Sequence, residues 1–251
     1  MNLVVGKNSL IAKSLKNWLK ADFISHKEIS SLDSHSYDRL YLLSFPDIYK
    51  DKKEYEFKFE NELLKLFEGK EVVYFSTSKV YPNLLNCSEE TQLEPQNFYA
   101  ENKIQIENIV RNKTDDFVIL RLSNVFSKNK WSKGTFFDTV SSNFKMNNII
   151  DFDVSFDSIR DFISVNSIEY ILKQISSKKI NGIYNLGSER GITINQILEI
   201  CFGRKLQNIR KLQTKKIINQ TLKIEKLINR FSIPKYKFYN ETVSELGKIK
   251  I

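Results

Sequence analysis

VVYFSTSKVYPNLLNCSEETQLEPQNFYAENK, residues Val72 to Lys103, is the stretch on which the reading of this chain turns. An apolar run, Val72-Val73-Tyr74-Phe75, stops in three hydroxyl residues, Ser76-Thr77-Ser78. A short continuous apolar run bounded by polar residues reads as a buried strand. After a polar connection, a helix from about Asn97 to Asn112 carries Tyr99 and Lys103 in its first turn. At about 100° per residue, Tyr99, Lys103, Ile106 and Val110 share one face, and Glu101, Gln105, Asn108 and Asn112 share the opposite one. Tyr99 and Lys103 therefore continue the inward stripe. A lysine there is costly unless its charge has a partner or a task. The spacing alone selects nothing, since Tyr49 and Lys53 repeat it in a charged stretch. The context is what points to a proton-transfer site at a sheet edge: a strand ending in hydroxyls, then a phenol and an ammonium one helical turn apart. The plainer alternative is a lysine snorkelling at a helix start.

Working outward, short apolar runs alternate with helical patterns. Leu3-Val4-Val5 is a strand closed by Gly6, followed by a helix over Ser9–Lys20 with Ile11, Leu15, Trp18 and Leu19 as its apolar face. Strand, glycine turn and helix at the start of a chain is a dinucleotide-binding opening, or else an ordinary βα turn. The small residues at the fingerprint spacing are Gly6, Ser9 and Ala12. A phosphate-binding P-loop is excluded, because no glycine precedes Gly6-Lys7 at the required distance. Phe23-Ile24-Ser25 is a second strand and Leu40-Tyr41-Leu42-Leu43 a third, the latter leading into Ser44. A helix is expected over Glu54–Glu68 and a strand over Val118–Leu122. Uninterrupted apolar strands between helices indicate a parallel sheet covered on both faces, a doubly wound α/β fold. Residues 1–125 then form the dinucleotide-binding core.

The remaining residues, 126–251, read as a small substrate lobe plus a strand and helix returning to the core. Residues 126–160 are polar and aromatic, as in loop-rich structure. A helix follows over Ser164–Ser176, then a strand at Ile183–Leu186. Thr193 is an N-cap for a helix containing Ile197 and Ile200, and a last helix lies near Leu222–Asn229 in a basic tail that begins at Arg204.

Composition narrows the function. The chain has 39 basic and 30 acidic residues, a net charge of +9, but the charges are scattered and form no basic stripe interleaved with aromatics. That pattern argues against nucleic acid and suits a small anionic ligand. No run of 18 apolar residues and no signal-peptide pattern occurs, so neither a membrane span nor export is expected. Two cysteines, Cys87 and Cys201, make no disulfide framework, and a reducing cytoplasm is the expected location. No metal site is expected. The residues after the second strand, Ser25-His26-Lys27, offer a hydroxyl and two potential cations where an NAD site would place an acid; they suit a 2′-phosphate or form a solvated turn.

Taken in order, these stretches resemble the extended short-chain dehydrogenase/reductases that modify nucleotide sugars, the NAD-dependent epimerase/dehydratase family. Gly6-Lys7-Asn8-Ser9-Leu10-Ile11-Ala12 is similar to that family's glycine motif with its second and third glycines replaced. Tyr74 to Pro82 resembles its strand-four signature, with Thr77 at the catalytic hydroxyl. Tyr99-Ala100-Glu101-Asn102-Lys103 resembles its catalytic Tyr and Lys. Leu120 to Phe126 resembles a segment whose Asn, here Asn124, contacts the sugar nucleotide. Arg160-Asp161-Phe162 resembles one whose Arg binds the diphosphate, and Ile183 to Ser188 matches as well.

The resemblance implies a Rossmann fold and a site set. Thr77, Tyr99 and Lys103 are expected to be catalytic. Gly6, Asn8, Ser9, Leu10, Ile11, His26, Lys27, Ser44 and Lys103 are expected at the cofactor, and Ser78, Asn124 and Arg160 at the substrate. It implies a nicotinamide cofactor, for which Ser25-His26-Lys27 favour NADP(H) with NAD(H) as the alternative, and a homodimer to which Ile104 could contribute. The family's dehydratases place Asp-Glu after the catalytic Thr; here Ser78 and Lys79 stand there, which speaks against elimination of water. Its reductases that also epimerise at C3 and C5 use a Cys adjoining the catalytic hydroxyl, and Cys87 is too far along the chain. The motifs are nearest to dTDP-4-dehydrorhamnose reductase and related 4-ketoreductases. A 4-epimerase with tightly bound NAD is the second reading and a non-catalytic dinucleotide sensor the third. In the first two, Tyr99 exchanges a proton with the C4 oxygen, Lys103 lowers the phenol's pKa, and Thr77 holds the developing oxyanion.

Overall fold

The computed structural model describes residues 1–128, 136–147, 149–203, 210–213 and 216–249. In chain order the elements are β1 (Asn2–Val5), α1 (Leu10–Leu15), β2 (Ala21–Ile24), β3 (Arg39–Leu42), α2 (Lys58–Leu66), β4 (Glu71–Thr77), α3 (Phe98–Lys113) and β5 (Phe117–Leu122). They continue with β6 (Asn124–Phe126), α4 (Phe136–Asn147), β7 (Ile149–Phe152), β8 (Ile159–Arg160), β9 (Phe162–Ser164), α5 (Val165–Ser177) and β10 (Gly182–Leu186). The chain closes with β11 (Ile192–Thr193), α6 (Ile194–Phe202), β12 (Arg210–Gln213), α7 (Glu225–Phe231) and α8 (Lys237–Leu246).

The chain divides into two units. The first comprises Met1–Pro82, Glu89–Leu122 and Glu169–Leu186; the second comprises Asn83–Ser88, Ser123–Ile168 and Gly187–Ile251. The division falls within α5.

The first unit holds a six-stranded sheet in the order β10-β5-β4-β3-β1-β2, parallel throughout. This is a doubly wound Rossmann-like sheet. Its strands are the continuous apolar runs that a doubly covered sheet requires: Leu3, Val4, Val5, Leu40, Tyr41, Leu42, Val72, Val73 and Tyr74 are all without exposed surface. Leu63, Leu64, Phe67, Ile106 and Val110 from α2, its C-cap and α3 cover it and complete one core. From β1 the chain crosses to β2 on one side and then to β3 on the other. That reversal makes a crevice at the carboxyl ends of β1 and β3, where open α/β sheets bind ligands.

Local chemistry sets the element ends. Helix α1 stops at Leu15, short of the expected Lys20, because Asn17 and Trp18 bond back three residues, to Ser14 and Leu15, and tighten the last turn. Helix α2 starts at Lys58 rather than Glu54, because the Glu54 carboxylate accepts from the amides of Tyr55 and Glu56 and Phe57 then takes a left-handed conformation.

The second unit is built from three two-stranded pairs, β6 with β9, β7 with β12 and β8 with β11. Two apolar clusters hold it, one around Val140, Phe156, Ile194 and Leu198, the other around Phe126, Phe137, Phe162, Ile197 and Leu246. The loop-rich reading of residues 126–160 is corrected by α4, whose Phe137 and Val140 are buried. Helix α8 buries Phe238 and Leu246. Of the basic tail from Arg204, residues 204–209 and 214–215 lie outside the described residues.

Candidate active site and cofactor cleft

Strand β4 delivers its hydroxyls to alternate sides, as strand geometry requires. The Ser76 hydroxyl donates to Glu107 Oε1. The Thr77 hydroxyl lies beside the Tyr99 phenol, whose pKa it lowers, and accepts the amide of Lys79 at 3.3 Å. Helix α3 is started by Asn97, whose side chain accepts from the amide of Ala100, so that Tyr99 and Lys103 stand a turn apart on its inner face. Thr77, Tyr99 and Lys103 are thus brought together in one unit.

Lys103 is 5% exposed, and its ammonium donates to the carbonyl of Phe75 at 2.8 Å. The same Nζ stands 4.6 Å above the Phe45 ring, 5.0 Å above Tyr74 and 5.9 Å above Tyr99. Burial brings this amine down to about 7, against the charges of Glu107 and Glu60, which favour the ammonium. The phenol of Tyr99 departs from expectation. Burial raises it above its ordinary value, and the pull downward comes from Thr77 rather than from Lys103. The reason is placement: the Lys103 proton goes to a backbone carbonyl, and its charge lies over the ring face.

Behind these groups lies a polar network that the sequence reading missed. Glu107, one turn beyond Lys103, takes three bonds from Arg121 of β5, the shortest 2.7 Å. Arg121 donates a further bond to Tyr81 Oη at 2.8 Å, and Tyr81 donates to Asn185 Oδ1 at 2.8 Å. Two signals could have found it: Glu107 follows Lys103 at the spacing of one helix face, and an arginine inside an apolar strand demands a carboxylate. Asn102, also buried, fastens the loop before α2, donating to the carbonyls of Tyr49 and Lys52 at 2.8 Å each and accepting the amide of Glu54 at 3.0 Å.

At the sheet's switch point is a cleft of about 590 Å³ lined by Gly6, Asn8, Ser9, His26, Lys27 and Ser44 from the expected set, and by Lys7, Ser25, Leu43, Phe45, Asp47 and Lys50 beside them. Leu10 and Ile11, expected at the cofactor, are not part of its wall; Ile11 is 8% exposed and faces the core. Gly6 is required at its place. Its φ is +110°, and a β-carbon there would meet the Ser44 amide nitrogen at 2.7 Å. Ser9 caps α1 by accepting the amide of Ala12 at 3.0 Å. Two of the cations on the wall are ion-paired, Lys7 with Glu28 at 2.7 Å and Lys50 with Asp47 at 2.7 Å. The Lys7 ammonium holds the Glu28 carboxyl down at about 2. Volume, hydroxyls and cations fit a dinucleotide with its diphosphate.

The expected substrate residues fall in both units. Ser78 is buried at the end of β4 and its carbonyl accepts the amide of Tyr81 at 3.0 Å. Asn124 belongs to the second unit, where its side-chain amide donates to the carbonyl of Asp161 at 2.8 Å. Arg160, half-buried in the same unit, pairs with Gln220 through a backbone β-bridge, and burial lowers its guanidinium. Asp161 itself is buried and accepts from the Ser188 amide and hydroxyl and from the Leu222 amide. Among the described residues no cluster of His, Cys, Asp and Glu is placed to hold a metal, and no helix is long and apolar enough to cross a membrane.

Comparison with known proteins places the fold. The chain is similar in fold to the NAD-dependent NDP-hexosamine 5,6-dehydratase of tunicamycin biosynthesis, at 15% identity and a TM-score of 0.77 over 97% of this chain and 96% of that one. It is similar to the UDP-glucuronic acid 4-epimerase of Bacillus cereus, solved with UDP-glucuronic acid and NAD, at 16% identity and a TM-score of 0.79 over 99% and 98%. It is also similar to the UDP-N-acetylglucosamine 4-epimerase of Methanobrevibacter ruminantium, at 18% identity and a TM-score of 0.79 over 99% and 96%. No curated protein sequence matches the chain. The profile of the NAD dependent epimerase/dehydratase family matches residues 56–187, just over half of the chain and the part that carries Thr77, Tyr99 and Lys103, and the protein belongs to that family.

Proposed function

We propose that the protein is a nicotinamide-dependent oxidoreductase acting at C4 of a nucleotide sugar, and that its reaction is reduction of a 4-keto group. The observation that carries this reading is the meeting of Thr77 and Tyr99 at the end of β4 beside the buried Lys103, whose ammonium donates to the carbonyl of Phe75. A bound nicotinamide supplies the hydride. Tyr99 gives its proton to the C4 oxygen, and Thr77 steadies the charge that develops there, a contact worth about 2–4 kcal/mol of barrier. Ser78 and Lys79 follow Thr77 and bring no carboxylate to take a proton from the sugar ring, which supports hydride transfer without elimination.

The cofactor is held by Gly6, Asn8, Ser9, His26, Lys27 and Ser44. His26 and Lys27 follow β2 at the cleft wall, which supports NADPH over NADH, because cations there suit a 2′-phosphate. A second reading, 4-epimerisation with retained NAD, is favoured by the two structural neighbours that are 4-epimerases, one solved with NAD.

One experiment separates the two. The protein is incubated with NADPH or NADH and a panel of 4-keto nucleotide sugars, and absorbance at 340 nm is followed. Reduction consumes one equivalent of reduced cofactor per sugar. Interconversion of two C4 epimers with no added cofactor, and NAD released on denaturation, would replace the reductase reading by the epimerase one. Inactivity of every 4-keto and 4-hydroxy sugar tested would remove both.

A further inference from the structure

Glu60 is an acid that the sheet packing does not call for. It sits in α2 beside Leu63 and Leu64, with no exposed surface. Its Oε2 accepts the Tyr49 hydroxyl at 3.1 Å, and its Oε1 is buried with no hydrogen-bond partner. A buried polar atom left unsatisfied costs roughly 1–3 kcal/mol, more when charged, so its retention needs a reason. The hydroxyl of Tyr74, on the strand below Lys103, is a second buried atom without a partner.

The groups around Glu60 can be enumerated. The turn Asp47–Lys50 supplies Tyr49, the loop before α2 supplies the charge of Glu54, β4 supplies Tyr74, and α3 supplies Lys103. Burial pushes the Glu60 carboxyl up to about 7, and its own backbone amide, the Tyr49 hydroxyl and, after them, the charge of Lys103 draw it back toward the ionised form. From the other side, Glu107 and Glu60 are the two carboxylates whose charge favours the Lys103 ammonium. They are not equivalent. Glu107 is already matched by the Arg121 guanidinium at 2.7 Å, with side chains 3% and 4% exposed. Glu60 has the neutral Tyr49 hydroxyl, its own backbone amide and one idle oxygen, and no arginine. Tyr49 packs edge-on to Phe45 at 5.5 Å, the ring above which Lys103 stands at 4.6 Å, so the pieces share one wall.

We propose that Glu60 is a positioning residue that supplies the counter-charge for the buried Lys103 ammonium beside Tyr99. The proposal rests on the reading of Tyr99 as the proton donor for its functional meaning, but its physical core concerns only the Glu60–Lys103 pair. With Glu60 neutralised, desolvation acts on Lys103 against one carboxylate that an arginine already balances, and the amine loses its proton at a lower pH.

The test needs neither substrate nor cofactor. Protein carrying 13Cε-labelled lysine is titrated by NMR, with the Lys103 resonance identified by its loss in Lys103→Met. Glu60→Gln is expected to lower the Lys103 midpoint by about one unit or more, Glu60→Asp to recover part of that shift, and Tyr49→Phe to move it the same way by less. Tyr49→Phe also serves if Glu60→Gln does not fold. A Lys103 midpoint unmoved in the folded variants overturns the proposal. The basic limb of the pH–rate profile should move down with the midpoint in Glu60→Gln. A shifted NMR midpoint together with full turnover by Tyr99→Phe would leave the pair intact and sink the catalytic reading instead.

Discussion

The ammonium of Lys103 is held by the carbonyl of Phe75 at 2.8 Å, two residues before Thr77 on the same strand. That one bond ties α3 to β4 where the strand turns over to hydroxyls. It holds the amine 5.9 Å from the centre of the Tyr99 ring. Burial raises the phenol, and the pull downward comes from Thr77.

Tyr99→Phe keeps the ring and its edge contact with Phe45 at 5.0 Å and removes only the hydroxyl. Turnover should fall by about 10²–10⁴-fold, the usual worth of a positioned acid. Cofactor affinity, measured by titration calorimetry, should stay within a few-fold of the parent. Near-normal turnover would remove Tyr99 from the mechanism.

Lys103→Met separates folding from function. A buried amine brought down to about 7 is a cost to the fold that an isosteric thioether does not carry. Thermal unfolding should be unchanged or raised, while turnover drops by about a hundredfold or more. A large fall in melting temperature would mean that the lysine serves the core.

Arg121→Met strips the partner from Glu107 and leaves a carboxylate buried with only Ser76. Breaking such a pair costs about 3–5 kcal/mol. The double variant Glu107→Leu/Arg121→Met should regain most of that in denaturant melts. Equal losses in the single and double variants would show that the pair's charge is not what matters.

Ser9 caps α1 and stands where the family's motif has its second glycine. Ser9→Gly should cost only a few tenths of a kcal/mol in stability. It opens the backbone to closer approach of a diphosphate, so NAD(P)H should bind several-fold more tightly by fluorescence titration. Weaker binding would indicate that the serine hydroxyl itself contacts the cofactor.

Asp161 gives a pH signature in the second unit. Burial raises its carboxyl from 3.8 to about 6, against donors from Ser188 and Leu222. The folded state thus holds its proton more tightly than the unfolded chain, and this group's contribution is present below about 4 and lost as pH rises through about 6. The cost of Asp161→Asn should therefore be larger at pH 4 than at pH 7, by about 1–3 kcal/mol. Urea melts at the two pH values measure it, and a cost larger at pH 7 would reverse the assignment.

Sequence by itself determined the sheet, and the strand and helix that carry Thr77, Tyr99 and Lys103. Continuous apolar runs such as Val72–Phe75 have only one stable place, inside a doubly covered parallel sheet, and helix periodicity alone turns Tyr99 and Lys103 toward it. Tertiary structure decided what those groups experience. Whether Lys103 lowers the phenol, whether Ile11 meets the cleft or the core, and that Glu60 and Glu107 bear on one amine all depend on distances between elements far apart in the chain. Periodicity fixes which face a residue occupies; burial and through-space charge, which set its chemistry, exist only once the faces have met.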